Sequence, residues 1–236
     1  MKTAYKRILL KVSGEVLAGE AKKGIDFEKL TEICDVIKRT ADLGVEVAVV
    51  VGGGNFWRGR SSGEMDRTRA DQMGMLATVL NALAMQDELI KQGRDAEVLN
   101  GLDIQRVGRP FNKFEADRLL KEGKVVIFGC GTGNPYFTTD TGAALRASEI
   151  GADVFFKATN VDGVYDKDPN KHPDAVKYDE ISFDEILEKR LNVMDNTAAA
   201  MALNNKLPVL VFNLDDPENV IRAVKGEKIG TVVTFD

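Results

Sequence analysis

Lys124-Val-Val-Ile-Phe-Gly-Cys-Gly-Thr-Gly-Asn-Pro-Tyr-Phe-Thr-Thr-Asp-Thr-Gly142 is the stretch that decides how this chain folds. Its first part, 124–128, is a continuous apolar run, the pattern of a strand buried on both faces. That run opens directly into a turn rich in glycine and threonine, with Asn134 and Asp140, and segment 143–150 beyond it reads as a helix. Strand, loop and helix in immediate succession form the repeating unit of an α/β sheet. Glycine lets a backbone approach a ligand closely and take positive φ. Exposed amides and hydroxyls at a helix start make a natural anion site. Chain reversal alone does not call for chemistry this dense, so the turn reads as a binding loop.

The same unit recurs on both sides of it. Residues 7–12 read as a buried strand ending in Ser13-Gly14. Asp26 is placed to cap a helix with Leu30, Ile33, Cys34 and Ile37 at helical spacing, closed by Gly44. A second strand, 45–51, runs straight into Gly52-Gly-Gly54. A polar, arginine-rich connection, 55–71, leads to a helix over 73–91 that is apolar on more than one face, as for burial or an oligomer interface. Further strands are expected at 96–99, 152–156, 207–212 and 231–235, and helices at 113–121, 183–189, 198–204 and 218–224. Segment 161–169 reads as a turn with short extended arms, followed by a loop through His172-Pro173. No repeat, low-complexity tract or linker interrupts the alternation. The expected architecture is α/β: one domain over 1–236, a three-layer αβα sandwich around a mostly parallel sheet.

Composition narrows the function classes. A chain of 236 residues can bury a sizeable core, and 44% hydrophobic with 29% charged residues is usual for a soluble globular protein. A net charge of -5 argues against broad nucleic-acid binding and gives no reason to expect an acidic membrane surface as partner. Local basic sites can still take small anions. Two cysteines without a pairing framework fit a reducing cytoplasm. Cys34 falls on an apolar helix face, and Cys130 is either a small strand-end residue or a modifiable thiol. The start of the chain leads into a short strand rather than a signal peptide, and no run approaches a membrane span. A cytoplasmic location is therefore expected.

Ligands of open α/β sheets bind beyond the carboxyl ends of the strands. Four polar or glycine-rich segments lie at or soon after such ends: 11–14, 52–58, 129–140 and 157–168. Lys11 interrupts an apolar strand, where a charge is expensive unless paired. It is either a cation for a nucleotide phosphate or a snorkelling edge lysine. Gly52-Gly-Gly-Asn-Phe-Trp-Arg58 can form a nest of backbone amides with Arg58 at its rim, suited to bidentate contact with phosphate. The plainer reading of Arg58 is a solvated member of a loop that also holds Arg60, Arg67 and Arg69. Asp71 precedes helix 73–91 and can cap it, accept from ribose hydroxyls, or both. Asp140 closes the first loop at a helix start, as an N-cap or as the acid that organises cations around a transferred phosphoryl group. Lys157, just after 154–156, is a second group for stabilising transferred charge.

Missing motifs decide as much. There is no Gly-x-x-x-x-Gly-Lys-Ser/Thr loop, no dinucleotide fingerprint between a first strand and helix, and no Cys/His zinc cluster. The only histidine, His172, sits in a Pro-flanked loop, which disfavours a His-based hydrolase. One reaction class needs no base. A phosphate monoester has its second pKa near 6 and is largely deprotonated at neutral pH. Phosphoryl transfer to it requires positioning and charge neutralisation, which lysines, an arginine, amide nests and Mg²⁺ carried by ATP can supply.

In order along the chain, Lys11-Val-Ser-Gly-Glu15, Gly52-Gly-Gly-Asn55 with Arg58, Asp71-Gln-Met-Gly-Met-Leu-Ala77, Thr132-Gly-Asn-Pro-Tyr-Phe-Thr-Thr-Asp140 and Lys157-Ala-Thr-Asn-Val-Asp-Gly-Val-Tyr165 resemble the bacterial UMP kinases (uridylate kinases) of the amino-acid-kinase fold. The lysine and triple-glycine motifs are shared across that superfamily. The Asp71 and Thr132–140 motifs are more specific to UMP kinases. The resemblance implies an acceptor-binding half over roughly 1–150 and an ATP-binding half over roughly 151–236. It places Lys11 and Gly14 on the ATP phosphates, Val12, Ser13, Gly54 and Arg58 also on the ATP side, and Thr159, Tyr165 and Asp168 along the adenine nucleotide. Gly53, Asp71, Thr132, Gly133, Asn134, Pro135, Tyr136, Phe137, Thr138 and Thr139 are placed on UMP. Lys11, Lys157, Asp140 and Asp195 are implied at the catalytic centre, with Mg²⁺ arriving with ATP and no protein metal ligands assigned. A homohexamer assembled partly through the long helix is also implied. Segment 19–24 occupies a loop associated with GTP in some members. Gln86, Ile90 and Glu97 stand where those members carry basic residues, which argues against GTP control, whereas UTP can compete at the UMP site. The rival readings are a kinase of the same fold acting on a carboxylate or carbamate, and a nucleotide-binding storage or regulatory protein.

Overall fold

Strands buried on both faces need a helical layer on each side, and β1 (Arg7–Val12) shows the division. Ile8, Leu10 and Val12 pack into one core layer and Leu9 into the other. In this computed structural model, which describes residues 3–58, 63–169, 171–191 and 193–235, the first layer is closed by α2 (Phe27–Asp42), the later turns of α3 (Arg67–Lys91) and α8 (Asn219–Val224). The opposite layer is closed by α4 (Lys113–Lys121), α5 (Thr139–Ile150), α6 (Phe183–Lys189) and α7 (Asn196–Asn204). A one-turn helix, α1 (Gly14–Leu17), follows β1 directly. The three-layer, single-domain α/β architecture is as the sequence implies.

The remaining strands are β2 (Glu46–Val51), β3 (Ala96–Asn100), β4 (Arg109–Pro110), β5 (Val125–Gly129), β6 (Val154–Thr159), β7 (Val164–Tyr165), β8 (Lys177–Tyr178), β9 (Glu180–Ser182), β10 (Val209–Asn213) and β11 (Thr231–Thr234). The main sheet runs β4-β3-β5-β2-β1-β6-β10-β11-β9, and β10–β11 is its antiparallel pairing among the described residues. β7 and β8 form a separate antiparallel ribbon. From β1 the chain builds outward through β2, then returns to add β6 on the other side of β1. That reversal is a topological switch point, where open α/β sheets leave a crevice at the carboxyl ends of the strands.

Three helices start two or more residues from where they are expected. α3 begins at Arg67, not 73, and its cap is Asp66, whose carboxylate accepts the Arg69 amide at 3.2 Å. The polar first turns hide the helix from a periodicity argument, and Asp71 lies inside the helix rather than capping it. α5 begins at Thr139 and is capped by Thr138, which accepts the Thr141 amide at 3.2 Å, so Asp140 is a first-turn residue and not the cap. α7 begins at Asn196 under the cap of Asp195. Asp26 does cap α2, accepting from Glu28 and Lys29. The strands β4, β8 and β9, of two or three residues, are too short to leave a pattern. The extended arm at 164–165 takes its partner from β8, beyond the segment in which a self-contained turn is expected.

Candidate active site

Parity brings two lysines together. Lys11 stands two residues after Leu9, and Lys157 two residues after Phe155, so both project into the layer of α5. Parallel pairing sets Lys11 opposite Lys157 at the ends of neighbouring strands. The first turn of α5 delivers Asp140 between them. Lys11 Nζ lies 3.2 Å from Asp140 Oδ1, and Lys157 Nζ hydrogen-bonds Oδ2. The side chains of Lys11, Asp140 and Lys157 are 13%, 15% and 10% exposed, so this is a partly dry cluster carrying one net positive charge. Burial alone raises the Asp140 pKa, but the two ammonium groups outweigh it and hold the carboxyl below the usual carboxylate range. Burial pushes Lys157 down. The attraction of Asp140 opposes this, and the like charge of Lys11 reinforces it.

The two glycine loops fit against each other and against α3. A Cβ on Gly14 would sit 2.5 Å from Asn55 Oδ1 and 2.6 Å from the Gly52 carbonyl. One on Gly53 would sit 2.8 Å from Ala77 Cβ and 2.9 Å from the Gly74 carbonyl. Two buried amides hold the arrangement: Asn55 of the glycine motif, and Asn81, which sequence reasoning missed. Asn81 Nδ2 donates to the Gly52 carbonyl and to Asn55 Oδ1, each at 2.7 Å, and Asn55 Nδ2 donates back to Asn81 Oδ1 at 3.0 Å and to the Gly24 carbonyl at 2.7 Å. An asparagine among the apolar residues of a helix was the available signal, since a buried amide must be paired. Arg58 reaches the rim and pairs with Glu15.

The loop after β5 is clamped from three sides. Cys130 is buried at φ 63, and its amide donates to Thr78 Oγ1 at 2.8 Å. Burial raises its thiol pKa, in keeping with the small strand-end residue rather than a reactive thiol. Tyr136, at φ 72, donates its amide to Asp71 Oδ2 at 2.8 Å, while the Arg67 guanidinium lies 4.6 Å from its ring centroid. The buried Arg146 donates to the Gly131 carbonyl at 3.2 Å and stacks 3.8 Å from the Phe111 ring centroid, another support that periodicity does not reveal. Asp195 accepts the hydroxyls of Thr138 at 2.5 Å and Thr141 at 2.9 Å, and the amides of Thr197 and Ala198 at 3.0 Å. Its carboxylate thereby ties the start of α5 to the start of α7.

Around these groups opens a cleft of about 1630 Å³. Its floor carries Lys11, Asp140 and Lys157. One end is formed by Gly53, Asp71 and the loop at Thr132, Asn134 and Tyr136 to Thr139, and the other by Thr159, Tyr165 and Asp168. Gly54, Arg58 and Asp195 also line it. Val12, Ser13, Gly14, Gly133 and Pro135 do not: the Val12 side chain is in the core behind β1, and the others shape the loops. Among the described residues, no cluster of three or more His, Cys, Asp or Glu side chains forms a metal cage, and the Asp140 carboxylate is engaged by two lysines. Such a floor suits an anion that brings its own counter-ion. Residues 6–213 match the sequence model of the amino acid kinase family.

The chain belongs to the amino acid kinase family.

Within the family it is similar to solved structures of the UMP kinases of Bacillus anthracis and Ureaplasma parvum. The first is 35% identical with a TM-score of 0.95, covering 98% of this chain and 97% of that one. The second is 36% identical with a TM-score of 0.92, covering 99% and 100%. The uridylate kinase of Archaeoglobus fulgidus is 35% identical over 96% of this chain and 99% of that one, at a TM-score of 0.75.

Proposed function

We propose that this protein is a nucleoside monophosphate kinase that transfers the γ-phosphoryl group of ATP to UMP, giving UDP. The observation that carries the reading is the Lys11–Asp140–Lys157 cluster at the switch point, flanked by two phosphate-friendly loops. The likeness to proteins named UMP kinases supports it. UMP sits against Asp71 and the 132–139 loop, in the acceptor half, and its phosphate oxygen attacks in line. ATP lies along Thr159, Tyr165 and Asp168, in the half over 151–236, with its phosphates on the loops at 11–14 and 54–58. Lys11 and Lys157 neutralise charge on the transferred group, and Asp140 holds both ammoniums in place. Asp195 keeps the α5 N-terminus, and so Asp140, in register. Mg²⁺ enters as part of the MgATP co-substrate.

An ADP-release assay across UMP, CMP, dTMP, aspartate and acetylglutamate tests the reading. Turnover is expected with UMP above all others. Background rates with UMP would sink it, activity on an amino acid would favour the carboxylate rival, and ATP binding without turnover would favour the storage rival. In the same assay UTP is expected to compete with UMP, and GTP to have no effect. Gln86 is neutral and donates to the Ala96 carbonyl, and the Glu97 carboxylate pairs with Arg109 and Lys124, so the cations there are already matched by an acid.

We further place the enzyme in the cytoplasm, in pyrimidine nucleotide biosynthesis, as a homohexamer. Supporting the assembly, α3 exposes Met73, Leu76, Leu80 and Ile90 along one stripe, each at least 40% accessible in the single chain. Light scattering after size exclusion is expected to give the hexamer, and Leu80→Glu smaller species. A wild-type monomer at micromolar concentration would rule the assembly out.

A further inference from the structure

β11 begins with a threonine that is fully buried. The Thr231 hydroxyl accepts the Val164 amide at 2.8 Å and donates to the Tyr178 carbonyl at 2.5 Å. Val164 and Tyr178 are directly paired across the β7–β8 ribbon. A single hydroxyl therefore anchors both strands of the ribbon to the main sheet at one rung. The approach is close: a Cβ on Gly163 would lie 2.5 Å from Thr231 Oγ1. Gly163, Val164 and Tyr165 line the cleft at the end assigned to ATP. Within the sheet Thr231 pairs with Val211, another cleft residue, and Val211 pairs with Lys157. The ribbon is thus held at a fixed position relative to the strand that carries a catalytic lysine.

We infer that Thr231 is a positioning residue for the nucleotide donor, acting through the ribbon to aim the phosphate chain of ATP at Lys11 and Lys157. The inference rests on the assignment of this end of the cleft to ATP. Packing alone does not require the hydroxyl, because valine has the same shape and suits a buried strand better. Removing the hydroxyl leaves the Val164 amide and the Tyr178 carbonyl without this partner, and β7 loses its direct tie to β11, while β8 keeps the neighbouring bond from the Val232 amide to the Asp179 carbonyl.

Two substitutions separate the roles. Thr231→Val keeps the shape and removes the hydrogen bonds, and Thr231→Ser keeps the hydroxyl. The valine variant is expected to raise the KM for ATP about tenfold, the equivalent of roughly one hydrogen bond, with the KM for UMP unchanged. Its Val164 amide should exchange faster with solvent, and the serine variant should restore both properties. Gly163→Ala displaces the ribbon from an intact hydroxyl and should give the same ATP-specific defect, which keeps the idea testable if the valine variant misfolds. Equal rises in both KM values, or no change in either, would overturn it. Calorimetry of ATP binding without UMP keeps the two readings apart. A wild type that binds ATP but does not phosphorylate UMP defeats the proposed reaction, yet weaker ATP binding by the valine variant would still uphold the role of Thr231. Active wild type with unaltered ATP affinity in Thr231→Val defeats the positioning role alone.

Discussion

Lys11→Ala is expected to lower kcat for UMP phosphorylation by about two to three orders of magnitude, while the KM for UMP stays within about threefold of wild type. Lys11 and Lys157 face each other across the β1–β6 pair with Asp140 between them, so the floor carries one surplus positive charge. Deleting Lys11 cancels that surplus just where charge accumulates on the transferred phosphoryl group. The UMP contacts proposed at Asp71 and the 132–139 loop are untouched, which is why the loss should fall on kcat. Asp140 retains Lys157 as a partner, so the fold should persist, and thermal unfolding checks this. Lys11→Met, which keeps the aliphatic stem, should be as inactive as the alanine variant if charge is what matters. Both variants and the wild type should share an acid limb in kcat/KM near pH 6, because the proton concerned belongs to the UMP phosphate and not to the enzyme. Unchanged turnover, or a rise in KM matching the fall in kcat, would remove Lys11 from the transition state.

What was legible in the sequence follows from how each signal arises. Lys11 could be read because a charge in an apolar strand is costly wherever the strand goes. The glycine loops could be read because they sit at strand ends. Lys157 could be read as a second charge-stabilising group, but its place directly opposite Lys11 could not, since that depends on β1 pairing with β6 across 146 residues and on both lysines sharing a parity. Asp71 looked like a cap because residues 67–72 lack apolar periodicity. In the fold it lies inside α3 and binds the Tyr136 amide. Asp140 reads as a cap or as an organiser of cations, and Asp195 enters only through the resemblance; in the fold Thr138 and Asp195 do the capping, which leaves Asp140 to the lysines. What Asn81, Arg146 and Thr231 hold in place was unreadable for a common reason. Each is an ordinary residue type for its helix or strand, and only burial beside a loop from elsewhere in the chain shows what it holds.

Asp140→Asn should be the other severe substitution, and it should move the Lys157 titration down, where Lys11→Ala removes a like charge and moves it up. The folded-state pKa of Asp140 is depressed, so the stabilisation it provides is present above the unfolded value of about 3.9 and is lost as pH falls through the folded value. At neutral pH the asparagine variant lacks that contribution entirely. Taking one partner from a buried ion pair costs about 3 kcal/mol. Lys157 has the opposite bookkeeping. Burial already lowers its folded pKa, so its charge opposes folding at neutral pH, and stability rises as pH climbs from the folded towards the unfolded value. Without Asp140 that folded pKa drops further, and the window of rising stability widens downward. The melting temperature of the variant should therefore begin to rise with pH at a lower pH than that of the wild type. In kinetics, kcat should fall about a hundredfold, and the alkaline limb, which marks Lys157 losing its proton, should move to lower pH. The anion left to hold the cation is Asp195, whose charge also raises the Lys157 pKa but ranks below Asp140 in effect. An alkaline limb unmoved in Asp140→Asn would mean that Asp140 is not what keeps Lys157 charged.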